Sequence, residues 1–316
     1  MDFIVKKTTE LSDKEISQIL SLFEKIFEKE RSKEIFLNQS IENPLGFSYH
    51  SMMIDNDEIV GLNTYVPGYF KLNGLKVFFA NSTDSMVDKP YRDFFNFKTI
   101  FDNAYKELKK DGISFVYGYP TDNSHPVLTK SKLMKDIGKM YTYCLPVHVG
   151  NIKKSMKFLN PLSYAFCRGW IGVSSLLASK KGAEYRIEKE AESYNETRYK
   201  RGDGEYEIVK IDDFTVFYKI KEHEGIRTAF LIDITKKSPK NFVKAVKHII
   251  KNHRKDFDLL LYPGYLNFKV TGMIKIPRKF EPKNFYFVGK ALDKSIPEEV
   301  WDIRNWDTNL SNYDLI

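Results

Sequence analysis

"STDSMVDKPYRDFFNF", residues 82–97, decides how the first half of the chain is read. It leaves a β-rich run at Val87, crosses a basic turn and enters a helical pattern. In that pattern Phe97, Ile100, Phe101, Ala104 and Leu108 recur at spacings of three and four. Lys109-Lys110 and Asp111-Gly112 close the helix, with cations in its last turn and glycine just beyond. A helix N-terminus offers unpaired backbone N–H groups and the positive end of a dipole, which suits a phosphate. Arg92 stands there with a planar fork matched to phosphate oxygens; otherwise it is a surface arginine at a helix end.

Upstream, "DFIVKKTT" reads as a strand, and Ser12 with Glu15 has capping-box spacing. Ile16, Ile19, Leu20, Phe23 and Phe27 keep one apolar helical face, and "SKEIFLNQSI" continues as a second helix to Asn43-Pro44. Three β-rich runs follow, turned at Asn56-Asp57 and Asn73-Gly74. Downstream, "ISFVYGYP" is a buried strand broken at Pro120. "TDNSHPVLTKSKLM" is a short helix after a turn, and "KDIGKMYTYCLPVHV" is strand again. The order β-α-α-β-β-β-α-β-α-β predicts an α/β domain over 1–150.

Residues 151–204 differ in character. "FLNPLSYAFCRGWIGVSSLLASKK" is apolar but interrupted by Asn160, Pro161 and Arg168, so it reads as a connecting helix pair between domains and not as a membrane span. Lysines at 153, 154, 157, 180 and 181 leave a membrane-surface contact through 151–181 open. "AESYNETRYKRGDGE" reads as an exposed linker. Residues 205–316 then echo the first domain. "TAFLIDI", a helix opened by Ser238-Pro239, and "DFDLLLYPG" repeat its strand, helix and strand ending in "YP". A second, truncated unit without the opening helices is expected. The lysines on its helix form a solvated face, with an anion-binding stripe as the alternative. The tail, with two tryptophans, is expected to pack, or else to close over a polar, sugar-like substrate.

The chain has 316 residues, and 50 basic against 42 acidic ones leave a net charge of +8. That excess suits a nucleotide, a nucleic acid or an anionic membrane, and no RNP or C2H2 signature is present. Two cysteines without a CxxC pair argue against a disulfide framework and a zinc cluster, and His248 and His253 lie off one helical face. The start lacks the apolar h-region of a signal peptide, so a cytoplasmic location is expected.

The quoted stretch, together with "ISFVYGYPTDNSHPVLTK" and "MKDIGKMYTYCLPV", resembles the GCN5-related N-acetyltransferases (GNATs) over roughly 1–150. It looks most like a branch that serves surface-polysaccharide assembly. The resemblance implies a mixed-sheet α/β fold. It also implies acetyl-CoA or another acyl-CoA as substrate, no metal, and an amine acceptor such as an amino sugar. On this reading Asp84 is a candidate base, and the backbone of Ser85, Met86 and Val87 bonds the pantetheine. Arg92 opens a pyrophosphate loop that includes Phe94, Phe95 and Asn96, and Asn123 contacts CoA. His125 stands where the branch often has tyrosine, as the acid for the departing thiolate. The family's loop has glycine where Phe95 stands, and glycine or alanine where Phe97 stands, because backbone must approach the phosphates closely. These rings, and the charge of Asp93, predict a degenerate loop. A non-catalytic GNAT-fold binding or scaffold protein is therefore the alternative. Paired units also resemble Fem-type aminoacyl transferases, which would imply tRNA as a partner.

Overall fold

The computed structural model describes residues 1–199 and 205–313. Along the chain the elements begin with β1 (Asp2–Lys7), α1 (Asp13–Phe27), α2 (Lys33–Ile41), β2 (Tyr49–Asp55), β3 (Glu58–Leu72) and β4 (Leu75–Val87). Next come α3 (Phe94–Lys110), β5 (Phe115–Gly118), α4 (Ser124–Lys130), β6 (Lys135–Lys139), β7 (Tyr141–Pro146) and α5 (Val149–Ile152). The middle holds α6 (Asn160–Leu177), β8 (Ile187–Lys189) and α7 (Ala191–Arg198). The last part holds β9 (Glu207–Ile211), β10 (Phe214–His223), β11 (Ile226–Ile234), α8 (Pro239–His253), β12 (Leu259–Gly264), β13 (Ile274–Lys275) and β14 (Tyr286–Ala291).

Two compact units result, and neither is continuous in sequence. Unit 1 takes Met1–Gly138, Arg186–Gly204 and Tyr286–Asn305; unit 2 takes Lys139–Tyr185, Glu205–Phe285 and Trp306–Ile316. The contiguous boundaries expected at 150 and 204 therefore do not describe how the sheets are built. Unit 1 carries a mixed sheet in the order β1-β2-β3-β4-β5-β14-β6, with β8 added to β3. Unit 2 carries the order β9-β10-β11-β12-β7-β13. Each sheet thus takes the strand beside its parallel pair from the other half of the sequence. Place for place, β9 to β12 match β2 to β5, α8 matches α3, β7 matches β14, and β13 matches β6. The second unit is the reduced one: among the described residues it has no counterparts of β1, α1 and α2.

In unit 1 neighbouring residues of one strand face opposite layers, as strand geometry requires. Met52, Leu62 and Met86 pack against Ile16, Ile19 and Leu22 of α1, while Met53, Val60 and Val87 pack against Ile100 of α3. Gly61 is needed on the α3 side, because an added Cβ would meet Met53 Cε at 2.9 Å and Ile100 Cδ1 at 3.0 Å. The expected helix start is present: Ser12 Oγ accepts from Glu15 N at 3.3 Å, and Glu15 Oε2 accepts from Ser12 N at 2.9 Å. Both predicted hairpin turns use left-handed residues, with φ of 48° and 62° at Asn56-Asp57 and 50° and 82° at Asn73-Gly74.

Three local expectations differ from the structure. The apolar segment is one helix, α6, preceded by a 3-10 turn; Cys167 and Ile171 place it in the core of unit 2. "KDIGKMYTYCLPVHV" forms two strands, β6 and β7, that belong to different sheets. The expected linker forms α7, with Tyr194, Arg198 and Tyr199 buried, up to 199; its 200–204 part lies outside the described residues. Among the described residues no helix is long and apolar enough to cross a membrane.

Candidate functional site

The quoted stretch folds as read, and its geometry is specific. Strand β4 pairs with β5 in parallel from Phe79↔Phe115 to Ser82↔Gly118. There the ladder ends, although β4 continues to Val87. Pro120, having no N–H, cannot extend β5. Just past the end of the ladder β4 is bulged. Between Leu62↔Met86 and Thr64↔Thr83 it spends one residue more than β3, and Asp84 takes a left-handed φ of 49°. Ser85 is thereby exposed, while Met86 and Val87 return to the two buried faces.

Side chains hold the bulge in place. Ser85 Oγ donates to Asn63 Oδ1 at 2.9 Å, Ser82 Oγ donates to the same atom at 3.2 Å, and Asn63 Nδ2 donates to Tyr65 Oη at 2.7 Å. Asp84 accepts from both ends of the Arg31 guanidinium, at 2.6 and 3.0 Å, and Arg31 stacks 3.6 Å over the Phe23 ring. Below it His50 is fully buried between Thr8 and Thr64, with ring-nitrogen contacts of 3.0 and 3.1 Å. Burial pushes His50 down to about 4, against the pull of Asp84.

The start of α3 departs from expectation. Phe95 does not close the helix end: its side chain stands 77% exposed, edge-on to Phe94, which is 46% exposed. Phe97 turns inward onto Phe101, 4.8 Å between ring centres. Asp93 is the group that occupies the helix N-terminus. Its Oδ1 accepts from Asn96 N at 2.8 Å, and its Oδ2 accepts from Asn96 Nδ2 at 2.5 Å. Arg92 turns back toward the strand and donates from Nε to Val87 O at 2.7 Å. The carboxylate therefore takes one of the orphan donors that a phosphate would use.

Beyond β5, the N-terminal end of α4 is set by Thr121 and Ser124, which bond one another. Asn123 is exposed there and makes no capping bond. His125 lies flat on Tyr286, with ring centres 3.8 Å apart, and its Nε2 meets Asp136 Oδ1 at 2.6 Å. Tyr286 sits in β14 just past the Val288↔Gly118 pair, at the open end of β5. Desolvation and Asp122 raise its phenol above the ordinary value. Among the described residues no group of three or more His, Cys, Asp or Glu side chains could hold a metal.

A parallel pair that stops at a bulge, with a helix starting after the bulged strand and an antiparallel strand inserted beside the second of the pair, decides the architecture. The fold is that of the GNAT acetyltransferases. Residues 7–127 match the family model for an acetyltransferase (GNAT) domain. No curated protein matches the sequence. Among solved structures, a GCN5-related N-acetyltransferase from Anabaena variabilis is similar at TM-score 0.58 and 13% identity, over 92% of this chain and 73% of that one. One from Kribbella flavida gives 0.58 and 11%, over 92% and 71%. A probable N-acyltransferase of unknown function from Enterococcus faecalis gives 0.56 and 12%, over 92% and 73%.

In unit 2, whose strand order repeats that of unit 1, the matching place is filled by the chain itself. The β11–β12 ladder ends at Phe230↔Leu261. Beyond it Gly264 bridges to Asn309, and Tyr265 N donates to Thr308 O at 2.9 Å. Asn309 Nδ2 and Ser311 Oγ donate to Asp233 at 2.8 and 3.1 Å. Lys237, just before α8, donates to Asp233 at 2.5 Å and to Asp307 at 2.7 Å. Burial opposes its charge, but the two carboxylates outweigh that and hold the ammonium well above its ordinary value. The tail therefore packs, with Trp306 buried.

Sequence reasoning missed Arg31, Asn63, Asp136 and Tyr286. Each is joined to the site by tertiary structure, and no local pattern marks it.

Proposed function

We propose that unit 1 transfers an acyl group from an acyl-CoA thioester to an amine. The observation that carries this reading is the bulged β4 edge, which among the described residues has no partner strand beyond Ser82↔Gly118 and on which Arg92 takes only Val87 O. Backbone N–H and C=O groups along such an edge can accept the two amides of pantetheine as they would accept another strand. In the reaction the amine nitrogen attacks the thioester carbonyl carbon and the C–N bond forms. Charge gathers on the carbonyl oxygen, where a backbone N–H of the bulge stabilises it. The C–S bond then breaks, the nitrogen gives up its extra proton, and the thiolate takes one, so that no proton is gained or lost overall. His125, fixed through Nε2 by Asp136, is the candidate donor of that proton. Asp84, held at both oxygens by Arg31, is assigned to positioning the bulge and not to proton removal.

The residues fit the two ends of CoA unequally. The strand edge fits pantetheine, whereas the α3 N-terminus, capped by Asp93 and lacking glycine, is a poor cradle for the diphosphate. Acyl-pantetheine should therefore serve almost as well as acyl-CoA. An amino sugar, as in surface-polysaccharide assembly, is the acceptor favoured by the sequence resemblance.

The test is thiol release from acetyl-CoA and from acetyl-pantetheine with a panel of amines that includes amino sugars. The expected kcat/KM values for the two donors lie within about tenfold, or ~1.4 kcal/mol. Failure of both donors to react, with no rise in melting temperature at millimolar CoA, would replace the proposal with the second reading. That reading, a GNAT-fold scaffold without CoA, is the one the Asp93 cap favours.

A further inference from the structure

We infer that the α6–α8 face of unit 2 is a docking surface for an anionic phospholipid membrane. The inference is independent of the acyl-transfer reading. Its first basis is an unpartnered apolar stripe on α6. Cys167, Ile171 and Ser174 face inward, and Leu162, Phe166, Trp170, Val173 and Leu177 recur at spacings of four, four, three and four on the outer side. These are large side chains left open to solvent, at 65% for Leu162, 52% for Phe166 and 68% for Leu177. Phe166 and Trp170 stack on one another, 6.2 Å apart. An aromatic pair among leucines on a single helix face suits the boundary between headgroups and acyl chains.

The second basis is charge. Alongside the stripe, α6 and α8 enclose a cavity of about 550 Å³ with Ile171 and Ile250 in its lining and Arg168, Lys247, Lys251 and Arg254 around it. Among the described residues no carboxylate pairs with any of these four cations. Arg254 only donates to Tyr164 Oη, at 3.1 Å. The two helices and the segments that flank them carry no acid of their own, since no Asp or Glu occurs from 137 to 183 or from 234 to 255; Asp212 reaches α8 only at Lys244, away from the four cations of the cavity. Lys153 and Lys157 precede α6, and Lys180 and Lys181 follow it. Two copies of the chain pairing through this face would set these cations against each other, and a nucleic acid has no use for the exposed leucines. A surface with both phosphate headgroups and hydrocarbon satisfies both halves of the face.

Flotation of the full chain with vesicles tests this. With vesicles of equal parts phosphatidylcholine and phosphatidylglycerol the protein should float, and with phosphatidylcholine alone it should stay behind. Molar salt should release it. The double variant Phe166→Ser, Trp170→Ser should abolish flotation while its circular dichroism and melting stay unchanged, because both residues are exposed. Lys247→Glu with Lys251→Glu should lower the vesicle affinity by about fivefold or more per charge. The inference is overturned by equal behaviour on the two kinds of vesicle, or by flotation that survives the double variant. It is also overturned if the wild type binds single-stranded RNA in preference to the anionic vesicles. A wild-type dimer that the double variant converts to monomer would likewise assign the face to self-association and remove the membrane.

Discussion

The Asp93 carboxylate sits on the first turn of α3, accepting from Asn96 N at 2.8 Å. It is both an N-cap and a negative charge at the helix end where the proposed CoA ligand would place its diphosphate. The two roles separate in mutants. Asparagine caps as well as aspartate does, so Asp93→Asn should keep the melting temperature and raise affinity for CoA several-fold, without changing affinity for pantetheine. Asp93→Ala should lose about 1 kcal/mol of stability. Calorimetric titration with both ligands, alongside urea melts, reads the difference.

Arg31 and Asp84 form a nearly buried ion pair at the bulge. Removing one partner leaves the other charge without compensation, so Arg31→Met should cost about 3–5 kcal/mol in urea unfolding. Asp84→Asn should also destabilise. Neither effect is expected if Asp84 is a free base facing substrate, since such a residue is replaced with a loss of kcat and little loss of stability.

His50 makes stability depend on pH. Its folded value lies near 4, below the ordinary 6.5 that it has when unfolded. As pH falls, the unfolded chain therefore binds its proton first. The stabilisation is fully present above about 6.5, declines as pH falls, and is gone below about 4, for a total of about 3 kcal/mol. Unfolding free energies measured across that window should fall accordingly, and His50→Gln should flatten this part of the profile.

In unit 2, Asp233 gathers Lys237, Asn309 and Ser311. Asp233→Ala removes the acceptor of all three and leaves a buried ammonium with Asp307 alone, so it should destabilise by roughly 3–5 kcal/mol. With CoA bound as proposed in unit 1, its affinity should not change. A chemical melt and a titration on the same variant check both halves of this expectation.

The sequence made local decisions legible, and the structure shows where local information ends. Ser12 with Glu15, the two hairpin turns and the Pro120 break are each written in a few adjacent residues with one favoured backbone solution. The assignment of β7 and β14 to sheets is not, because a strand's own residues do not name its neighbour. The same limit hid Asp136 from His125 and Tyr286 from both. Phe95 shows a different limit. Residue type alone marks a bulky ring in the loop, but not its direction; the ring stands in solvent, and Asp93 is the group at the helix end. The polar composition of α7 gave no helical signal strong enough to oppose a linker reading, although Tyr194 and Arg198 are buried in it.

The central claim is that an acyl-CoA thioester lies along the bulged edge of β4 in unit 1, while the matching place in unit 2 is closed by the chain's own tail. Backbone hydrogen exchange with and without millimolar acetyl-CoA tests it most directly. The account predicts slower exchange at residues 83–88 and 119–125, and no change at 231–238 or 262–266. Protection confined to 231–238, or none anywhere, would contradict it.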